Sequence, residues 1–152
     1  MVQTALPCIR STKTIQHLSI KMKLTQYSRN IIMKSFQQWD VPKDFADPMY
    51  NYLVHGYNPG SCFTSVLAND FMGAIRRSHP ANTIEAFKAL AGWISDTMPR
   101  NAYGSYETVD NWCYLKEDER RTILEKQELI YTAKQETWLA IKGDPVTEPV
   151  LY

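Results

Sequence analysis

The first 39 residues contain no aspartate or glutamate. They carry Arg10, Lys13, Lys21, Lys23, Arg29 and Lys34, so the remaining chain holds eleven of the 17 basic residues and all 16 acids, a net of −5. Such a split separates segments with different jobs. Cysteine is scarce. Cys8, Cys62 and Cys113 show no Cys-x-x-Cys spacing, and with His17, His55 and His79 they make no zinc pattern. A disulfide framework and a structural metal are therefore set aside, no cofactor is expected, and the thiols suit a reducing compartment. No apolar run approaches the roughly 18 residues that cross a bilayer, and the N-terminus lacks the continuous apolar core of a secretory signal. The acid-free start does faintly resemble an organelle transit peptide. The expected location is cytoplasmic. A phosphate-cradling loop is missing as well, because "GYNPGS" has neither the lysine nor the spacing of one.

What is present is a chain of 152 residues, 44% apolar and 12% aromatic, enough for one domain with a real core. Residues 1–39 read as a basic extension, disordered or outside that core. Within them "HLSIKMKL" alternates as a strand would, with no evident partner. Internal methionines at Met22 and Met33 allow translation to begin downstream of Met1. If the segment is translated, its six positive charges make it a candidate nucleic-acid-binding arm.

Residues 40–143 read as helices. Asp47 is placed to cap a helix with Pro48 at its first position, ending at Gly56. "GYNPGS" is a tight turn, and a second helix runs from about Ser61 to Arg77. Pro80 breaks the chain, because it disfavours helical geometry at His79. Asn82 with Glu85 has capping-box spacing, and Ile84, Phe87, Leu90, Ala91, Ile94 and Met98 then repeat at helical spacing. Ser105 caps a short helix carrying Val109, Trp112 and Cys113. A long final helix spans about Glu117 to Lys142 and stops at Gly143, its stripe interrupted at Gln127 and Lys134. Residues 144–152 form an extended tail. The fold expected is all-α, a compact bundle of four or five helices with a core of Phe63, Leu67, Phe71, Phe87, Leu90, Ile94 and Trp112.

One residue is out of place in this pattern. At about 100° per residue, a continuous helix over 61–77 puts Val66, Leu67, Phe71, Ala74 and Ile75 on the face of Phe63. Asp70 falls near the centre of that face, Arg77 lies near the same line, and Asn69 and Arg76 point away. A buried, unpaired carboxylate costs several kcal/mol. Asp70 must therefore find Arg77 (about 10 Å along the axis), the N–H groups at a neighbouring helix start, or the Trp112 indole N–H. It either ties helices together or lines a polar pocket with Arg77.

The stretch from residue 40 to about 115 resembles a family of small bacteriophage and prophage proteins. The resemblance rests on a tyrosine-containing helix, the turn Gly56-x-x-Pro59-Gly60, and Val66-Leu67-x-Asn69-Asp70. Arg77 and Asn82 follow at the family's spacing, then Gly104-Ser105 and Trp112, with Tyr103 where a tryptophan is usual. It implies a phage accessory gene without an established activity, and chains that begin near the equivalent of Met33. The charged segment after Trp112 is less typical and leaves the oligomeric state open.

Other chemistry is thinner. Ser61 opens a helix whose N-terminus could hold an anion. Cys62, Ser61 and Cys113 are candidate nucleophiles, but no spacing ties them to His55 or His79. "RRSHP" could touch phosphates, on a domain that is net acidic. The expectation is a non-enzymatic phage accessory protein that binds a host or phage macromolecule, most simply a protein. Its site is expected at Tyr57, Asn58, Gly60, Ser61, Asn69, Asp70, Arg77 and Asn82, with homo-oligomerisation through the final helix as a further option. Two alternatives stand beside it: a small-ligand or nucleotide-binding protein with a concave pocket around Arg77, and nucleic-acid binding through residues 1–39.

Overall fold

The computed structural model describes residues 24–143; the residues before and after, including most of "HLSIKMKL" and the 144–152 tail, lie outside the described residues. These form eight α-helices and no strand: α1 Gln26–Gln38, α2 Lys43–Tyr50, α3 Ser61–Leu67, α4 Phe71–Arg77, α5 Ile84–Thr97, α6 Tyr106–Tyr114, α7 Glu117–Lys126 and α8 Ala133–Lys142. A π-helical turn over Asn51–His55 extends α2, and a single 3-10 turn, Arg100–Ala102, leads into α6. The all-α expectation holds. The count of four or five helices does not, because two of the expected helices are each divided and α1 comes from the segment read as lying outside the core.

Both divisions have the same cause. Asn69 (φ 65°) and Glu128 (φ 60°) adopt left-handed backbone, as does Asp40 (φ 56°) at the end of α1. At each, the amide just past the left-handed residue reaches back to a carbonyl five residues earlier: Val41 to Phe36, Asp70 to Ser65, Leu129 to Leu124. This is the helix stop in which a left-handed residue lets orphan carbonyls be satisfied. It is usually built on glycine, and here on Asp, Asn and Glu. The accompanying hydrophobic pair is present at two of the three, where Phe36 meets Val41 and Leu124 meets Leu129, all buried. The long C-terminal helix thus becomes α7 and α8, the latter restarted by the Thr132–Gln135 capping box.

The basic N-terminal segment is corrected in its described part. Thr25 caps α1, and Ile32, Met33 and Phe36 are buried in the core. Phe36 packs on Trp93 of α5 with ring centroids 4.3 Å apart, and the Trp93 indole donates to Ser35 Oγ at 3.0 Å. The buried Ser28 donates to Glu136 of α8 at 2.7 Å and accepts from the Tyr131 amide at 3.0 Å. Arg121 of α7 reaches the other Glu136 oxygen at 3.2 Å. Glu136 thus joins α1, through the Ser28 hydroxyl, to α7, through Arg121.

Helix boundaries read from sequence are right at Gly56, Ser61, Arg77, Ser105, Glu117 and Gly143, and the caps read at Asp47 and Asn82 are wrong. Pro42 precedes α2 and Pro48 lies inside it, so Asp47 caps nothing. Thr83, not Asn82, caps α5, its hydroxyl accepting from the Ala86 amide at 3.1 Å.

The π-helical turn is the hub of the core. Tyr52, Leu53 and Val54 are wholly buried, and the Tyr52 hydroxyl donates to the Ala102 carbonyl at 2.7 Å. Side chains add to the backbone bonds at this helix end, where Tyr52 O also accepts from the Gly56 amide at 2.9 Å. The Trp112 indole donates to Tyr52 O at 3.1 Å, and the buried Arg120 donates from Nε to Val54 O at 3.2 Å. Arg120 also donates to Leu115 O. Trp112 is therefore engaged with the π turn and is no partner of Asp70. Gly56 is required twice, for φ 71° and because an added Cβ would lie 2.6 Å from Arg120 Nη1.

A chain started at Met33 loses the first half of α1, including Ile32 and the Ser28–Glu136 contact. We expect it to melt far below the full chain or fail to fold, read by circular dichroism. Ile32→Ala alone should cost about 2–5 kcal/mol, the usual range for emptying a buried aliphatic position. A Met33-start chain that melts like the full chain would contradict this placement of α1.

Candidate functional site

At the α3–α4 junction the stop motif lacks its hydrophobic pair. The residues that occupy those two places are Ser65 and Asp70, and they are joined by polar contacts instead. Asn69 ends α3, and Asp70 at once caps α4, its Oδ1 accepting from the Gly73 amide at 3.0 Å. The other carboxylate oxygen accepts from the Tyr106 hydroxyl at 2.5 Å. Arg77, at the far end of α4, lies 3.9 Å from that oxygen. Its Nη1 donates to Ser65 Oγ at 2.5 Å and to Tyr106 Oη at 3.3 Å. Ser65 in turn donates to the Ser61 carbonyl at 3.0 Å. Three helices, α3, α4 and α6, are thus pinned by one carboxylate, one guanidinium and two hydroxyls. Gly73 leaves the room for this: a Cβ there would collide with Asp70 Oδ2 and lie 2.9 Å from Arg77 Nη1.

The expected burial of Asp70 on the apolar stripe is corrected. The helix breaks just before it, and its side chain is 37% exposed. Its carboxyl is held below the usual aspartate range, first by the Tyr106 hydroxyl, then by the Gly73 amide, with Arg77 and Arg76 adding to the effect and desolvation opposing it. The break also turns Phe71 out of the core, where sequence periodicity had put it. Phe71 is 62% exposed and Met72 79%. The other expected core residues are buried, Phe63 only partly.

Of the eight expected site residues, the cluster contains Asp70 and Arg77, with the Ser61 backbone at its edge. Asn69 is exposed and acts as the left-handed stop. Asn82 lies outside the cluster, its amide donating to His79 O at 2.9 Å. Tyr57, Asn58 and Gly60 form a separate turn, in which Asn58 Oδ1 accepts from the Gly60 amide at 2.8 Å. Tyr57 stacks on His55 at 5.3 Å and, with Asn58, borders a surface depression of about 310 Å³. A wider depression of about 510 Å³ lies between Trp39 and the start of α5. Arg77 borders neither, so neither is the concave pocket expected around it.

Sequence reasoning missed Ser65 and Tyr106, the two hydroxyls that complete the cluster. Ser105 was recognisable as a cap, which puts Tyr106 at a helix start, but no spacing ties residue 106 to residue 70. Of the nucleophile candidates, Cys113 is buried and Cys62 is engaged. The half-buried Cys62 thiol donates to Ala74 O at 3.4 Å, and burial pushes its pKa up despite Arg77 nearby. α3, which Ser61 opens, is a seven-residue helix without a side-chain cap. Among the described residues no group of three or more His, Cys, Asp or Glu side chains is placed to hold a metal, and no helix is long and apolar enough to cross a membrane. No family model, curated protein or solved structure matches the chain.

Because the folded-state pKa of Asp70 is depressed, its ionisation adds stability above the ordinary aspartate pKa, lost as pH falls through the lowered folded value. Asn caps helices about as well as Asp. Asp70→Asn should therefore lower the melting temperature at neutral pH, with the gap to wild type closing below the ordinary aspartate range. A gap that stays constant with pH would assign the effect to geometry and not to charge.

Proposed function

We propose that this chain is a non-enzymatic accessory protein that binds a protein partner through the face around α4. The observation that carries this reading is the exposure of two adjacent large apolar side chains, Phe71 and Met72, beside the fixed Asp70–Tyr106–Arg77 cluster. Aromatic, methionine and arginine side chains are the types enriched at the centres of protein interfaces, and exposed apolar groups rimmed by polar ones mark such surfaces. Pinning by three helices spares the partner the entropic cost of ordering the face. Arg76 and Arg77 on the same short helix suit a partner that offers an apolar pocket bordered by carboxylates.

The motif order shared with small phage proteins supports a phage setting, in which the partner is a host or phage protein. Ser65 is donating to Ser61 and accepting from Arg77, and the Cys62 thiol donates to the Ala74 carbonyl, with burial pushing its pKa up. Neither is a prepared nucleophile, which favours binding over catalysis. The second reading, a small-ligand protein, draws its support from the two surface depressions and not from Arg77.

The test uses the full chain as bait in cells of the infected host, against Phe71→Ser/Met72→Ser and Arg77→Gln. A stoichiometric protein partner should be recovered with wild type and lost with the double variant, whose melting temperature should be unchanged or higher. Recovery of the same partner by both would move the interface elsewhere, and recovery of none would overturn the proposal.

A further inference from the structure

The depression beside Tyr57 has a composition that the fold alone does not require. It is lined by Asp47, Pro48, Asn51, Tyr57, Asn58 and Pro59, at the C-terminal end of α2 and the start of its π turn. Asp47 is the single charged residue among them. Its carboxylate caps no helix and makes no hydrogen bond or ion pair among the described residues. It is exposed to solvent in mid-helix, since the π turn carries the helix on to His55. The Asn51 side-chain amide likewise has no partner among the described residues. Tyr57 is 47% exposed and is braced by stacking on His55, which itself meets Tyr50 edge-on.

We infer that this depression is a binding site for an arginine side chain presented by a peptide segment of a partner. A guanidinium is planar, carries five donors in a fixed fork, and stacks on aromatic faces. The Asp47 carboxylate can take two of those donors in a bidentate pair, and the Asn51 carbonyl oxygen a third. The Tyr57 ring supplies the flat surface, with Pro48 and Pro59 against the aliphatic stem. Arg120, the cation closest to the end of the π turn, is buried and spent on the Val54 and Leu115 carbonyls. The wider depression by Trp39 is a poorer candidate for a cation. There Lys88 stands among Asp40 and Glu85, and the N-terminus of α5, positive by its dipole, forms one side. The inference does not depend on the face around Phe71.

The experiment titrates the full-length protein with the peptide acetyl-Gly-Arg-Gly-amide and with its citrulline counterpart, which is planar and nearly isosteric but uncharged. Amide resonances of Asn51, Tyr57 and Asn58 are followed by NMR. The arginine peptide should give saturable shifts at these residues in the millimolar range, and the citrulline peptide should bind at least about tenfold more weakly. Asp47→Asn should lose about the same factor, and Tyr57→Leu several-fold, while Asp44→Asn, on the same helix but outside the depression, should bind as wild type. The Asp47→Asn protein should melt at the wild-type temperature or above it. Equal binding of the two peptides, wild-type affinity in Asp47→Asn, or no saturable shift would overturn the assignment. A lower melting temperature in Asp47→Asn would do so too, since the carboxylate would then serve the fold.

Discussion

Three non-glycine residues in left-handed backbone decide where this chain turns. Asp40, Asn69 and Glu128 each accept a conformation that costs an L-residue roughly 1–2 kcal/mol, and each ends a helix, which at Asn69 and Glu128 sequence periodicity would have continued. The residue after each stop recovers that cost. After Asp40 and Glu128, Val41 and Leu129 fold back onto the buried ends of their own helices. After Asn69 the recovery is polar. A helix continued through this point would carry the Asp70 carboxylate onto an apolar face, at a cost of several kcal/mol. Stopping at Asn69 moves the carboxylate to a cap position, where the Gly73 amide and the Tyr106 hydroxyl satisfy it.

The same economy of orphan groups organises the core. Carbonyls at the end of a buried π turn have acceptor capacity that side chains can fill. Trp112 shares Tyr52 O with the Gly56 amide, and Arg120 meets Val54 O, so the sequence-distant second half of the domain is tied to the first. Arg120 is a charge taken out of water, a choice that rarely adds stability on its own but is heavily penalised when its acceptors are removed. Its place under Gly56 explains why the turn there tolerates no side chain.

The sequence exposed the helical class, the Gly56, Ser105 and Gly143 boundaries, and most of the core, because these rest on local periodicity and on residue types with one dominant conformational use. It hid the stops at Asp40, Asn69 and Glu128, because the left-handed region is read from glycine and here no glycine occupies it. It hid α1 for a different reason. The charge asymmetry suggested a detachable segment, yet Ile32, Met33 and Phe36 already had helical spacing, and the Ser28 hydroxyl is tied to Glu136 more than a hundred residues away. The cluster was half legible. Asp70 and Arg77 share a helix face and could be paired by geometry, whereas Ser65 and Tyr106 arrive through the break and through the packing of α6, which no short-range pattern encodes.

Asn69 links the fold to the function. In an unbroken helix Phe71 would fall on the same stripe as Leu67 and Ala74 and be buried with them. The stop rotates the axis at residue 70, so Leu67 and Ala74 stay inside while Phe71 and Met72 face out. One left-handed residue therefore relieves the buried carboxylate and, by the same rotation, gives up Phe71, which could have joined the core, and sets it beside the exposed Met72. Phe71 burial alone is worth about 1.5–3 kcal/mol by area. A stop placed purely for stability would resemble the other two and bring an apolar residue back onto its helix. This one brings back Asp70 and leaves the apolar residues in solvent, and that departure from the chain's own pattern is the strongest argument that the α4 face is kept for a partner.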